Sequence, residues 1–321
     1  MNYVIEMVGG IGKHIMATSF IKWLNEKYPK SKITIVSAYP ELFEYNPRIY
    51  RNLRLGQPYL FEDYIKGNDF RRGEPYSVFE YYREEEKKHL MNLFPKAYGF
   101  KGVNENPETE IYLTKGEEMD GQVYNQQNSP LITFQALGGL PPGAQANRFK
   151  IDSSQRDMIP QIAMKIVQLL ISKGFKVLQI RSPTEPIIPG TLQLQLPFRN
   201  ILPILKYSVG HVGIDSSGMH ASAIFKKPQL IFWGGTHVDN LGYKYDGVFN
   251  VWKKCGMHCR PHLQVHDQEG LFPYKDKMQG FEFDYTDVEL ENHLNKFLDL
   301  INLNKGEKNV EDNKKDPKKA G

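Results

Sequence analysis

The chain has 321 residues, 40% of them hydrophobic and 12% aromatic, enough for one large core or two ordinary ones, and two α/β domains are expected. A formal charge of +4 suits anionic ligands without demanding a nucleic acid, and only two cysteines exclude a disulfide framework. No stretch approaches the roughly 20 apolar residues of a membrane span, so a soluble, cytoplasmic protein is expected.

Tyr3 to Val8 reads as a strand running into the loop VGGIGKH, Val8 to His14. A Walker-type phosphate loop needs a glycine where Met7 stands and a Ser or Thr where His14 stands. A dinucleotide fingerprint started at Gly10 and Gly12 lacks its third glycine, replaced by Ile15. The general physics survives: Gly10 and Gly12 let backbone N–H groups approach a ligand, and the following helix start favours negative charge. Ala17, Ile21, Leu24 and Tyr28 recur at helical spacing, Pro29 stops the pattern, and Ile33 to Val36 is a second strand, which makes a parallel βαβ unit. Pro58 to Asn128 yields no regular pattern beyond one helix within the aromatic, charged stretch Tyr76 to Phe94.

A second α/β section begins near residue 129, so the expected domains are 1–128 and 129–301. Its strands are Leu131–Ala136, Phe175–Ile180, His211–Ile214 and Gln229–Trp233, and its first helix carries the stripe Ile159, Ile162, Ala163, Ile166, Leu169 before Lys173-Gly174. In VGIDSSGMHASAIFKKPQLIFWGGT, Val212 to Thr236, a strand ends at Ile214 and the loop Asp215-Ser216-Ser217-Gly218 precedes a helix from Met219 to Phe225. Serine hydroxyls and the free N–H groups of a helix start can hold a diphosphate, with Gly218 permitting close approach; alone, the same residues equally suit an ordinary N-cap. Cys255, Cys259, His262 and His266, with His258 as a spare, have the ligand chemistry of a zinc site. Gly256, Pro261 and the C-x3-C spacing speak against such a site. Thr286 and Glu289 fit a capping box ahead of Leu290, Leu294, Phe297 and Ile301, a terminal helix free to pack back on the first domain. The lysine-rich segment Asn302 to Gly321 is expected to be a disordered tail.

The order of these stretches resembles glycosyltransferase family 9, the heptosyltransferase-like enzymes of the GT-B fold. The resemblance rests on GGIGKHIMATSFIKWLNEKYP, NPRIYRNL (Asn46 to Leu53), ITFQALGG leading to NRFK (Asn147 to Lys150), and above all DSSGMHASAIFKKPQLIFWGGT against a family pattern Asp-(Ser/Thr)-Gly-x-x-His followed by a Lys-Pro strand and a Gly-x-Thr loop. It covers about two-thirds of the chain and leaves Tyr59 to Tyr124 unplaced. It implies two Rossmann-like domains facing across a cleft and transfer of a sugar, with inversion and without a required metal or cofactor, from a nucleotide-diphosphate donor such as an ADP- or UDP-sugar to the hydroxyl of a saccharide or lipopolysaccharide-like acceptor. In this reading Gly10, Gly12, Asp215, Ser216, Ser217, Gly218, Met219 and His220 form the donor site, Arg148 pairs with the diphosphate and Glu185 accepts from the ribose hydroxyls.

The chain departs from the family pattern after the loop glycine, where many members carry an aspartate thought to deprotonate the acceptor and this one has Lys13. A lysine of ordinary pKa is a poor base at neutral pH, so the role is expected to pass to His14, with Asp63, Asp69 and Glu80 as further candidates and Lys13 as a phosphate contact. Two alternatives stand beside this reading. One is the same chemistry on a hydroxymethylated base in DNA, which would require the base to be flipped out. The other is a sugar-nucleotide-binding module without catalysis, motivated by Lys13. The sequence leaves the oligomeric state open.

Overall fold

The computed structural model describes residues 1–73, 89–138, 157–234, 238–252 and 285–315, with side chains described as far as residue 303. Two parallel sheets organise these residues. In the first, β1 (Asn2–Met7) and β2 (Lys32–Ser37) each have one exposed residue followed by five buried ones, the near-continuous apolar run of a strand covered on both faces. Helix α1 (Ile11–Lys27) joins them and buries Ile15, Phe20, Ile21 and Leu24. Two short strands, β3 (Arg51–Arg54) and β4 (Asp69–Arg72), complete the order β3-β2-β1-β4, all parallel. The chain thus winds outward from β1 and returns to its other side, which makes the carboxyl ends of β1 and β4 a topological switch point.

The segment without a sequence pattern, Pro58 to Asn128, holds, besides β4, a π-helical turn at Phe61–Ile65, α2 (Leu90–Ala97) and α3 (Lys115–Gln127). The second sheet contains β5 (Leu131–Gln135), β6 (Lys176–Gln179), β7 (Leu192–Gln193), β8 (Gly210–Gly213), β9 (Gln229–Trp233) and β10 (Val248–Trp252). Its order is β10-β9-β8-β5-β6-β7, again parallel, so its switch point lies between β5 and β8. Its helices are α4 (Pro160–Ser172), α5 (Phe198–Tyr207), α6 (Ser217–Ile224), the short α7 (Val238–Leu241) and α8 (Asp287–Lys315).

One expectation about the terminal helix is corrected. Leu290, Leu294, Phe297 and Ile301 pack with the core of the second sheet, beside Leu230, Phe232 and Val251, and not on the first sheet. The helix continues to Lys315, through fourteen of the twenty residues of the lysine-rich segment Asn302 to Gly321. Residues 316–321 lie outside the described part.

The two sheets share apolar contacts. Ile15 of α1 and Leu42 cluster with Ile180, Ile201, Leu202, Leu205 and Ala221, while Met219, Ile231 and Trp233 join the core around α1 and α2. A polar tie reinforces this. Arg199 on α5, 6% exposed, donates to both carboxylate oxygens of Glu117 at 2.6 and 3.0 Å, to the Glu41 carbonyl at 2.6 Å and to the Tyr112 carbonyl at 2.9 Å.

Candidate functional site

Both glycine loops lie at switch points, and the helices that follow them touch. The loop Val8–Gly10 leaves the carboxyl end of β1, and Asp215–Ser216 leaves that of β8. A β-carbon on Gly12 would stand 2.6 Å from His220 Cδ2, so glycine at this first turn of α1 is required by the approach of α6. Around Gly10, the N-cap of α1, no described residue lies within 4 Å of such a carbon, which leaves that face open to a ligand.

His220 is 3% exposed. Its Nδ1 is 2.9 Å from the Tyr243 hydroxyl and its Nε2 is 3.5 Å from Asp215 Oδ1. Burial holds the Tyr243 pKa well above its ordinary value, with the neighbouring Tyr245 and Asp215 acting in the same direction. The phenol therefore stays protonated, and the His220 ring links it to Asp215. His89, the N-cap of α2, packs its ring 5.9 Å from Tyr243, and burial, followed by the proximity of His220, pushes its pKa down to about 4.

At the start of α6 the expected serine cap is absent. Ser216 Oγ donates backwards to the Ile214 carbonyl, while the Gly218 N–H is taken at 2.8 Å by Oε1 of Gln135, the last residue of β5. Ser217 Oγ donates to the same oxygen at 3.3 Å. Packing alone already requires glycine at 218: its β-carbon would stand 2.6 Å from His211 Cε1 and 2.9 Å from Gln135 Oε1. Met219 is 1% exposed and belongs to the first core, so only its backbone can face a ligand.

Lys13 lies in the first turn of α1, its Cδ 2.9 Å from where a β-carbon on Gly9 would stand. Burial lowers its pKa to about 8, which overturns the premise that this lysine keeps its ordinary basicity. His14 moves the other way as a candidate base. Its ring is 1% exposed, packs edge-on to Tyr39 with centroids 5.0 Å apart, and sets Nδ1 2.9 Å from the Gly10 carbonyl. Burial brings its pKa to about 4, so it packs the helix start as a neutral ring.

Asp69 is excluded by register. It pairs with Tyr3 at the amino end of β1, about 16 Å along the strand from Val8, and its carboxylate holds Arg71. Asp63 is exposed on the π-helical turn between β3 and β4. The carboxylate that does sit at the end of β1 is Glu6, 7% exposed and paired with Arg72 at 3.2 Å. Glu185 lies beyond the carboxyl end of β6, two strand spacings or roughly 10 Å from the α6 start, and accepts from the Ser182 N–H and hydroxyl at 3.2 and 3.1 Å. The Asn-Pro motif is a turn: Asn46 accepts the Arg48 N–H at 3.0 Å and donates to Glu110 at 3.1 Å. Arg148, Glu80, Gly235, Thr236 and the cluster Cys255, His258, Cys259, His262, His266 lie outside the described residues, among which no group of metal-ligating side chains occurs. No described helix is long and apolar enough to cross a membrane.

Sequence reasoning missed Gln135, His211, Tyr243 and His89. Gln135 lies in a quoted stretch, but its place opposite Gly218 comes from the pairing of β5 with β8.

No family model matches the sequence, and no curated protein does. Solved structures do. A glycosyl transferase family 9 protein from Veillonella parvula is similar over 94% of this chain and 97% of its own, with 11% identity and a TM-score of 0.64. The E. coli ADP-heptose lps heptosyltransferase II is similar over 93% and 98%, with 13% identity and a TM-score of 0.56. The E. coli heptosyltransferase TibC, dodecameric, iron-containing and in complex with ADP-D-beta-D-heptose, is similar over 94% of this chain and 76% of its own, with 10% identity and a TM-score of 0.61. At such identities the likeness is one of fold.

Proposed function

From a fold shared with family 9 glycosyltransferases, we propose that the protein transfers a sugar from a nucleoside diphosphate donor to an acceptor hydroxyl. The contact of the helices that follow the two switch-point loops, Gly12 against His220, carries this reading, because it puts the binding edges of two parallel sheets beside each other. The donor diphosphate lies at the start of α6 and the acceptor beside Gly10 and Lys13. Residues 1–128 and 129–301 are then the acceptor-side and donor-side halves. The ADP-heptose of the E. coli relatives makes an ADP-linked sugar the first donor to try.

In the proposed reaction the neutral amine of Lys13 takes the proton of the acceptor hydroxyl. The acceptor oxygen bonds to the anomeric carbon from the face opposite the leaving group, the bond to the diphosphate oxygen breaks, and configuration inverts. Lowered basicity suits Lys13 to this role, since a general base works best with a pKa near the operating pH. Charge growing on the departing diphosphate meets the N–H groups at the start of α6, without a metal. Asp215 and His220 hold that loop against α1.

The test is release of nucleoside diphosphate from a panel of ADP- and UDP-sugars with saccharide acceptors. Turnover should rise with pH around a midpoint near 8. Lys13→Arg, which keeps the charge but cannot act as a base, should bind donor normally and lose roughly 100-fold or more in turnover. Undiminished turnover in that variant would make Lys13 a charge contact instead. Release from no donor would contradict the reading itself.

A further inference from the structure

Gln135 occupies the position that the proposed donor needs. It is 3% exposed at the end of β5, and its Nε2 donates to the Leu137 carbonyl at 3.1 Å. Its Oε1 takes the Gly218 N–H and the Ser217 hydroxyl, donors that a phosphate oxygen at the start of α6 would require. Two acceptors cannot share them at full strength.

Beneath this contact lies His211 of β8, fully buried. Its Nδ1 is 3.0 Å from Thr133 Oγ1, and that hydroxyl donates to the Gly210 carbonyl at 3.4 Å. With that hydroxyl donating to the carbonyl, Nδ1 carries the ring hydrogen and Nε2 is left as an acceptor. Burial drives the His211 pKa down to about 3, so no second proton fills that acceptor at neutral pH. Among the described residues Nε2 is buried without a hydrogen-bond partner, a costly state that calls for an explanation. Gln135 Oε1 and His211 Nε2 lie 2.9 and 3.0 Å from one common point, the β-carbon position of Gly218, so both atoms border the same small space.

We propose that Gln135 gates the anion site: its amide carbonyl stands in for a phosphate oxygen at the start of α6, and on binding of a nucleoside diphosphate the amide swings so that its N–H2 donates to His211 Nε2. No covalent bond changes and no proton is transferred. The ligand gains the Ser217 hydroxyl and the Gly218 N–H, and His211 gains its missing donor. An amide serves both states because it is acceptor and donor at once; a carboxylate would repel the ligand, and an alkyl chain would serve neither. The inference rests on the donor-binding reading.

Titration calorimetry with ADP and UDP on the full chain, combined with 15N NMR of the histidine rings, tests it. Gln135→Ala should bind the better nucleotide roughly 5- to 10-fold more tightly than wild type, the worth of one internal hydrogen bond no longer displaced. Gln135→Glu should bind at least several-fold more weakly than wild type. In wild type, saturating nucleotide should move the His211 Nε2 resonance, assigned by its absence in His211→Gln, and in Gln135→Ala it should not. Gln135→Met, which keeps the shape without the amide, carries the same expectations if the alanine variant fails to fold. Equal or weaker binding by a folded alanine or methionine variant, or an unmoved His211 resonance in wild type, would overturn the gate and leave the donor reading standing. Failure of wild type to bind either nucleotide would overturn both.

Discussion

Burial decides the chemistry of the residues around the two loops. His14 and His89 are held near a pKa of 4 and His211 near 3, each mainly by burial. A histidine whose pKa is lower folded than unfolded binds a proton more readily in the unfolded chain, so its contribution is intact above about pH 6.5 and is lost as pH falls toward 4. For His14 alone the loss between pH 7 and pH 5 is about 2 kcal/mol. Urea denaturation should therefore show a shallower fall in stability over that interval for His14→Leu than for wild type; equal slopes would mean that His14 titrates normally. The sequence signalled His14 as a titratable group beside the loop, but the rings that bury it, Tyr39 and Phe43, come from beyond β2. Lys13 was legible as a departure from the family pattern, whereas its lowered basicity required the helix to fold its side chain over Gly9.

Elements with apolar runs were legible and those that pack by other means were not. β1, β2, β5 and β9 are buried almost throughout, and a run of β-branched and aromatic residues between turn signals marks such strands. The capping box expected at Thr286 and Glu289 opens α8, with the Thr286 N–H donating to Glu289 at 2.7 Å. α3 escaped notice because its buried face consists of Gly121 and Asn125, which leave no apolar stripe to find. Its signal was another capping box, Thr114 with Glu117, whose two reciprocal hydrogen bonds are 3.2 and 2.7 Å long. β3 and β4 are four residues each and rich in arginine, as short sheet edges often are. Arg199 joins α5 to α3 and to the segment after β2, and leaving Glu117 without this buried partner is expensive. Arg199→Met should cost about 3 kcal/mol in chemical denaturation. A loss under about 1 kcal/mol would reduce the tie to a surface ion pair.

At the scale of the whole molecule, two parallel sheets each reverse their strand order once, and the helices that follow the loops at those reversals meet through Gly12 and His220. The loops could be read from glycines and small polar residues after apolar strands. The meeting of the helices could not, because it depends on Ile15 and Leu42 sharing a core with α5 and α6. The described structure adds no observation in favour of a DNA acceptor or a binding module without catalysis. The account stands or falls on what occupies the junction. A crystal structure of the protein soaked with ADP or UDP should place the diphosphate at the start of α6, within hydrogen-bonding distance of Ser217 and facing Gly10, with the Gln135 amide turned toward His211. Nucleotide bound anywhere else, with the α6 start still capped by Gln135, would contradict it.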